Sequence, residues 1–100
     1  MLTTSDTIRM DESSLYFRAP FITCFPTINI ETGIVTIEVR ARDSDTGADF
    51  GGVVMSTTVT TINAESTTET TTVEKTYEAV EKWVLDQLSD LNPTATIEIA

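Results

Sequence analysis

The sequence predicts an α+β fold: a mostly antiparallel β-sheet with one long amphipathic helix packed across one face and a C-terminal strand. Three observations predict it. Val73, Tyr77, Val80, Val84, Leu88 and Leu91 recur at steps of three and four, which places them on one helical stripe. Residues 27–43 alternate apolar and polar side chains, the period of a half-buried strand. Beyond the helix, Ala95, Ile97 and Ile99 alternate with Thr94, Thr96 and Glu98, so a strand over 94–99 is expected. Strands, then a helix, then a strand make an antiparallel sheet with a helix across it the simplest way to bury both apolar faces.

The helix is expected over 73–91. Trp83 and Leu85 flank the apolar stripe, while Lys75, Glu78, Lys82, Asp86 and Ser89 take the far side. Glu78 and Lys82 form a favourable i,i+4 pair, worth ~0.2–0.5 kcal/mol. Thr71-x-x-Glu74 fits a capping box that opens the helix, and Asn92-Pro93 closes it.

Ahead of the helix, residues 1–14 are mostly polar and read as an N-terminal arm, with Ile8 and Met10 as isolated apolar points. A β-rich sheet is expected over 15–62. Leu15, Phe17 and Ala19 alternate with Tyr16 and Arg18 in a short strand. Pro20 and Pro26 bracket Phe21–Phe25, so this piece reads as an edge strand or a rigid extended loop. Its aromatics either fill one end of the core or form an exposed patch where another chain docks.

Ile28 and Ile30, then Val35, Ile37, Val39 and Ala41, define the buried face of a hairpin. A two-residue turn at Thr32-Gly33 pairs Ile30 with Val35 and Ile28 with Ile37. Glu38 and Arg40 fall on its outer face. Val53–Ile62 reads as a further strand, with Val53 and Met55 facing the core under the helix. Residues 63–72 are nearly all Thr, Glu, Ser and Ala and read as a linker or an extended arm.

One hundred residues suit one domain. A formal charge of −10 argues against nucleic acid and against anionic lipid as partners. No apolar run reaches the ~18 residues of a membrane span. Met1–Met10 has no apolar h-region, so it is not a secretion signal. Cys24 is the lone cysteine, which excludes an internal disulfide and a cysteine zinc cluster.

The absence of histidine excludes a Ser-His-Asp triad and an HExxH site, and no phosphate-cradling glycine motif occurs. Cys24 therefore reads as a buried inert thiol. Asp43-Ser44-Asp45-Thr46-Gly47-Ala48-Asp49 offers alternating carboxylates. It departs from an EF-hand, because glycine stands fifth and Val54 occupies the place of the bidentate glutamate, so it reads as a solvated turn. No catalytic residue, metal site or cofactor is expected.

What remains is association. An open terminal strand edge and an aromatic segment between prolines suit a homo-oligomeric assembly subunit, whose partners are copies of itself and other subunits. The interface candidates are Phe21, Ile22 and Phe25, then Ile97 and Ile99. In its Thr-rich, acidic, cysteine-poor composition the chain resembles small virion proteins of tailed bacteriophages. That resemblance implies a non-enzymatic subunit of a tail, neck or capsid-associated position, assembled in the host cytoplasm, without a cofactor. The alternative is an acidic inhibitor that mimics DNA, or acts as anti-CRISPR proteins do, against a basic host protein. Against it, Arg9, Arg18, Arg40 and Arg42 interrupt the acids, where a mimic needs a continuous row.

Overall fold

A computed structural model describes residues 1–11, 16–49, 52–65 and 73–99, with the backbone alone for 63–65 and 73–76. The elements run β1 (Leu2–Thr3), β2 (Thr7–Arg9), β3 (Tyr16–Arg18), β4 (Phe21–Asn29), β5 (Ile34–Arg42), β6 (Val53–Thr58), α1 (Val59–Glu65), α2 (Val73–Leu91) and β7 (Glu98–Ile99). The main sheet has the order β6-β5-β4-β1-β7, and every neighbouring pair is antiparallel. β2 and β3 form a separate two-stranded ribbon. The architecture is the α+β arrangement that the periodicities predict.

The long hairpin sets the sheet. Along β5, Val35, Ile37, Val39 and Ala41 are buried and the residues between them are exposed, as the alternation requires. The partner register differs from the expected one. Val35 pairs with Ile28 and Ile37 with Pro26, a slip of two residues, which preserves the alternation of faces within the strands but leaves Ile28 44% exposed instead of buried. The turn is longer than Thr32-Gly33 because Asn29 organises it. Its Oδ1 accepts hydrogen bonds from the amides of Glu31 (3.0 Å) and Thr32 (3.3 Å), and its carbonyl accepts from Gly33 N (2.8 Å). Gly33 closes the loop at φ 72°, where a Cβ would be strained. Ile30 is left at the tip, 91% exposed.

The N-terminal arm is a correction. β1 lies inside the sheet, between β4 and β7, and Leu2 is fully buried opposite Ile22 and Ile99. Ile8 and Met10 are buried as well. Strands of two and three residues are too short to show a period, so sequence reading sees only scattered apolar points. Phe21–Phe25 is corrected in turn: β4 is not an edge strand or a loop, for at Phe21 and Ile22 it is paired on both sides. Pro26 is tolerated farther along, beyond the stretch that β1 pairs. In β3, Phe17 is buried as expected, whereas Leu15 lies outside the described residues.

Val53–Ile62 also divides. β6 ends at Thr58, and the chain turns into α1, a helix that periodicity did not predict. Thr58 caps it, its Oγ1 accepting from Thr61 N at 3.2 Å. Val59 N donates to Gly33 O at 2.8 Å, fastening the start of α1 to the hairpin turn. The run of β-branched residues favours extended backbone, but the cap and the burial of Ile62 outweigh that preference. Residues 63–65 are thus helical rather than linker, while 66–72, with Thr71 of the capping box, lie outside the described residues.

α2 spans the expected 73–91 and lies across the inner face of the sheet. Val80, Val84 and Leu88 are fully buried and share one core with Leu2, Ile22, Val35, Ile37 and Val39. Trp83 and Leu85 are half-buried at its margins. Asn92 ends the helix by donating from Nδ2 to Leu88 O and to Arg9 O, both at 2.9 Å. Its Oδ1 accepts from Arg9 N at 3.0 Å, so the helix terminus and β2 are fixed together. The C-terminal strand is shorter than the expected 94–99, because only Glu98 and Ile99 pair with β1.

Candidate functional site

Cross-strand pairing sorts the sheet into two faces. Ile22, Cys24, Val35, Ile37, Val39 and Ala41 point toward α2. The opposite face carries Phe21, Thr23 and Phe25 on β4, Glu38, Arg40 and Arg42 on β5, and Val54 on β6. No element covers this face among the described residues. Phe21 is 48% exposed, Phe25 51% and Val54 65%. Phe21 lies directly opposite Arg42, Thr23 opposite Arg40, and Phe25 opposite Glu38. Together Phe21, Thr23, Phe25, Arg40, Arg42 and Asp49 line a shallow depression of about 420 Å³.

Two local contacts involve Glu38, the cross-strand neighbour of Phe25. Arg40 Nε lies 3.4 Å from Glu38 Oε1, an exposed pair that orders both side chains along β5. Gly52, at φ 103°, passes close to Glu38, and a Cβ there would meet the glutamate side chain at 3.3 Å. Glycine therefore lets the chain approach β6 without displacing Glu38.

The expected interface residues do not come together. Phe21 and Phe25 are exposed on the outer face. Ile22 is a correction, since it is fully buried on the helix side, where strand alternation turns it away from its two aromatic neighbours. Ile97 is a second correction, at 8% exposure. Thr4 Oγ1 donates to Thr96 O at 2.6 Å and Thr96 N donates to Asp6 Oδ2 at 2.8 Å, which ties this segment to the N-terminal strand and aims Ile97 into the core. Ile99 is 45% exposed, but it lies opposite Leu2 and so on the helix side of the sheet. The outer face is then Phe21 and Phe25 joined by Arg40 and Arg42. The arginines escape a sequence reading because their aromatic neighbours depend on the register. In the expected register Phe25 would face Arg40 and Phe21 would face Ser44.

A buried polar cluster was also missed. Glu81 is 3% exposed on the apolar side of α2, four residues after Tyr77 and three before Val84, a spacing that does carry the signal. Its carboxylate pairs with the ammonium of Met1, the one partner of Oε2 among the described residues. The Cys24 thiol is pushed up to about 12, first by burial and then by the nearby negative charge of Glu81. The Tyr77 phenol is raised by burial first and then by the charges of Glu81 and Cys24, partly opposed by a hydrogen bond with the Cys24 backbone. Cys24 is thus a buried thiol held in its protonated form, with no nucleophilic character.

The aspartate loop is a turn built around one carboxylate. Asp43 Oδ1 accepts from the amides of Asp45 and Thr46, both at 3.0 Å, and Oδ2 accepts from Arg18 N at 2.7 Å. These hydrogen bonds hold Asp43 down at about 2. Asp45 lies 3.6 Å from Arg18. Among the described residues no group of three or more potential ligands is placed to hold a metal ion. No helix in the described residues is long and apolar enough to cross a membrane. Comparison with known proteins found no matching family model, no matching curated sequence and no matching solved structure.

Proposed function

We propose that this chain is a non-enzymatic structural subunit that works by self-association through the outer face of its five-stranded sheet. One observation carries the reading: the sheet is covered on one side only, and the bare side presents two half-exposed phenylalanines beside two arginines. Aromatic and arginine side chains are the residue types enriched in interface cores. A face of this kind suits docking, since half-exposed aromatic area gains from burial against another surface. The compositional likeness to small tailed-bacteriophage proteins extends the proposal to a virion component of a tail, neck or capsid-associated position.

The test is oligomeric state. Mass photometry and light scattering over a concentration series should find discrete or extended multimers of the purified chain. Phe25→Asp is expected to impair assembly strongly and Asp45→Ala to leave it intact, because Asp45 lies away from this face. Equal effects would remove the outer face from the reading. A strict monomer that binds a basic nuclease tightly would instead support the acidic-inhibitor alternative.

A further inference from the structure

Resting on the self-association reading, we infer that the outer face of the sheet receives the exposed stripe of α2 from a second copy, head to tail. The outer row of β5 carries Arg42, Arg40 and Glu38, all exposed, at steps of ~6.6 Å along the strand. The exposed stripe of α2 carries Asp90, Asp86 and Lys82 at steps of ~6 Å along the helix. Read in the same chain direction, the strand presents plus, plus, minus and the helix presents minus, minus, plus. The two rows match in sign at three successive positions and nearly match in spacing. A second copy's helix lying along β5, parallel to it, sets each charge against its opposite.

Apolar flanks accompany the charges. Phe21 and Phe25 stand on β4 beside Arg42 and Glu38, and Trp83 and Leu85 stand half-exposed on either side of the helical stripe. The contact therefore combines desolvated aromatic area with a specified register. The inner side of α2 is committed to the molecule's own core, so the stripe and the outer face lie on opposite sides of one chain. No two-fold axis can bring them together. The contact is heterologous, and repetition builds a ring or a filament. It also fits a chain of charge −10, whose copies repel unless their few cations meet carboxylates.

Charge exchange tests the pairing. One variant carries Arg40→Glu and Arg42→Glu, the other Asp86→Lys and Asp90→Lys; all four positions are exposed, and circular dichroism checks that both variants fold. Each alone places like charges in contact, which costs several kcal/mol, so association should fall at least ~10-fold in each. An equimolar mixture restores opposite signs at both surfaces and should assemble to within ~3-fold of the unmodified chain. Assembly of the unmodified chain should weaken with added salt.

If the aspartate variant assembles as well as the unmodified chain while the arginine variant does not, the head-to-tail pairing is overturned. Sheet-on-sheet contact across a two-fold then takes its place, and the structural-subunit reading survives. A mixture that stays monomeric overturns the pairing too. If the unmodified chain is monomeric at every concentration, the structural-subunit reading itself fails.

Discussion

Ile22 and Phe21 are adjacent in sequence and stand on opposite faces of β4, so an aspartate at each position separates folding from association. Ile22 is fully buried between Leu2 on β1 and Ala41 on β5. Ile22→Asp forfeits ~2–3 kcal/mol of apolar burial and adds several kcal/mol for a carboxylate taken out of water. The sum is more than ~5 kcal/mol, against the ~5–15 kcal/mol that stabilises a domain of this size. Ile22→Asp is therefore expected to unfold the chain at neutral pH. Phe21→Asp loses ~1–2 kcal/mol of partial burial and recovers ~0.2–1 kcal/mol from its cross-strand neighbour Arg42. It should stay folded and lose assembly. Urea titration followed by circular dichroism measures the first quantity, and mass photometry the second. A folded Ile22→Asp, or an unfolded Phe21→Asp, would mean that the helix covers the other face of the sheet.

Three further outcomes follow from the buried groups. Glu81→Met should change stability by less than ~1 kcal/mol, because it replaces the buried carboxylate by an apolar side chain of similar size and the ammonium left behind is half exposed and regains water; a denaturant midpoint shift worth more than ~3 kcal/mol would make the Met1–Glu81 pair net favourable. Cys24 holds its proton in the folded chain to about 12, against 9.0 when unfolded, so stability should fall as pH rises through that window, and Cys24→Ala should flatten the fall in a melting series. Asp43 is held at about 2 against 3.8, so its contribution is present above 3.8 and is lost as pH falls toward 2. Asp43→Asn should lower the melting temperature at neutral pH and remove that acid slope; an unchanged slope would mean that the Arg18, Asp45 and Thr46 amides do not favour the ionised form.

The sequence was legible wherever an element was long enough to repeat its own period. The nineteen residues of α2 and the nine of β5 show theirs, and both fold as their apolar spacing requires. β1 and β2 have two or three residues each, less than two full alternations, so Ile8 and Met10 read as isolated apolar points in a polar arm. α1 was hidden by its composition, since Val59, Thr60, Thr61 and Ile62 all prefer strand, and only the Thr58 cap and tertiary burial make them helical. The hairpin turn was misjudged because Gly33 is a visible signal, whereas the Asx turn at Asn29 depends on side-chain geometry. That misjudgement bears directly on the site. Faces survive a slip of two residues, but cross-strand neighbours do not, and the pairing of Phe21 with Arg42 exists only in the observed register.

The size of the outer face decides what kind of assembly it can support. The two strands of nine residues, β4 and β5, are ~30 Å long, and with the six-residue β6 beside them they span ~10–14 Å, which a helix of nineteen residues, ~28 Å long, covers almost end to end. A footprint of this order buries ~800–1,000 Å² in total over both copies, at the lower limit for a specific interface. Three exposed ion pairs add ~0–1 kcal/mol each and set register more than affinity. In the proposed pairing a single contact is therefore weak, and an isolated pair of copies would dissociate readily. In a head-to-tail ring every copy is held on both its sheet face and its helix face, so the last contact closes within one molecule and the whole is far more stable than any one junction. A subunit of this design passes from monomer to closed assembly over a narrow range of concentration, with few dimers between, and it gains that behaviour from bare sheet and helix surfaces alone.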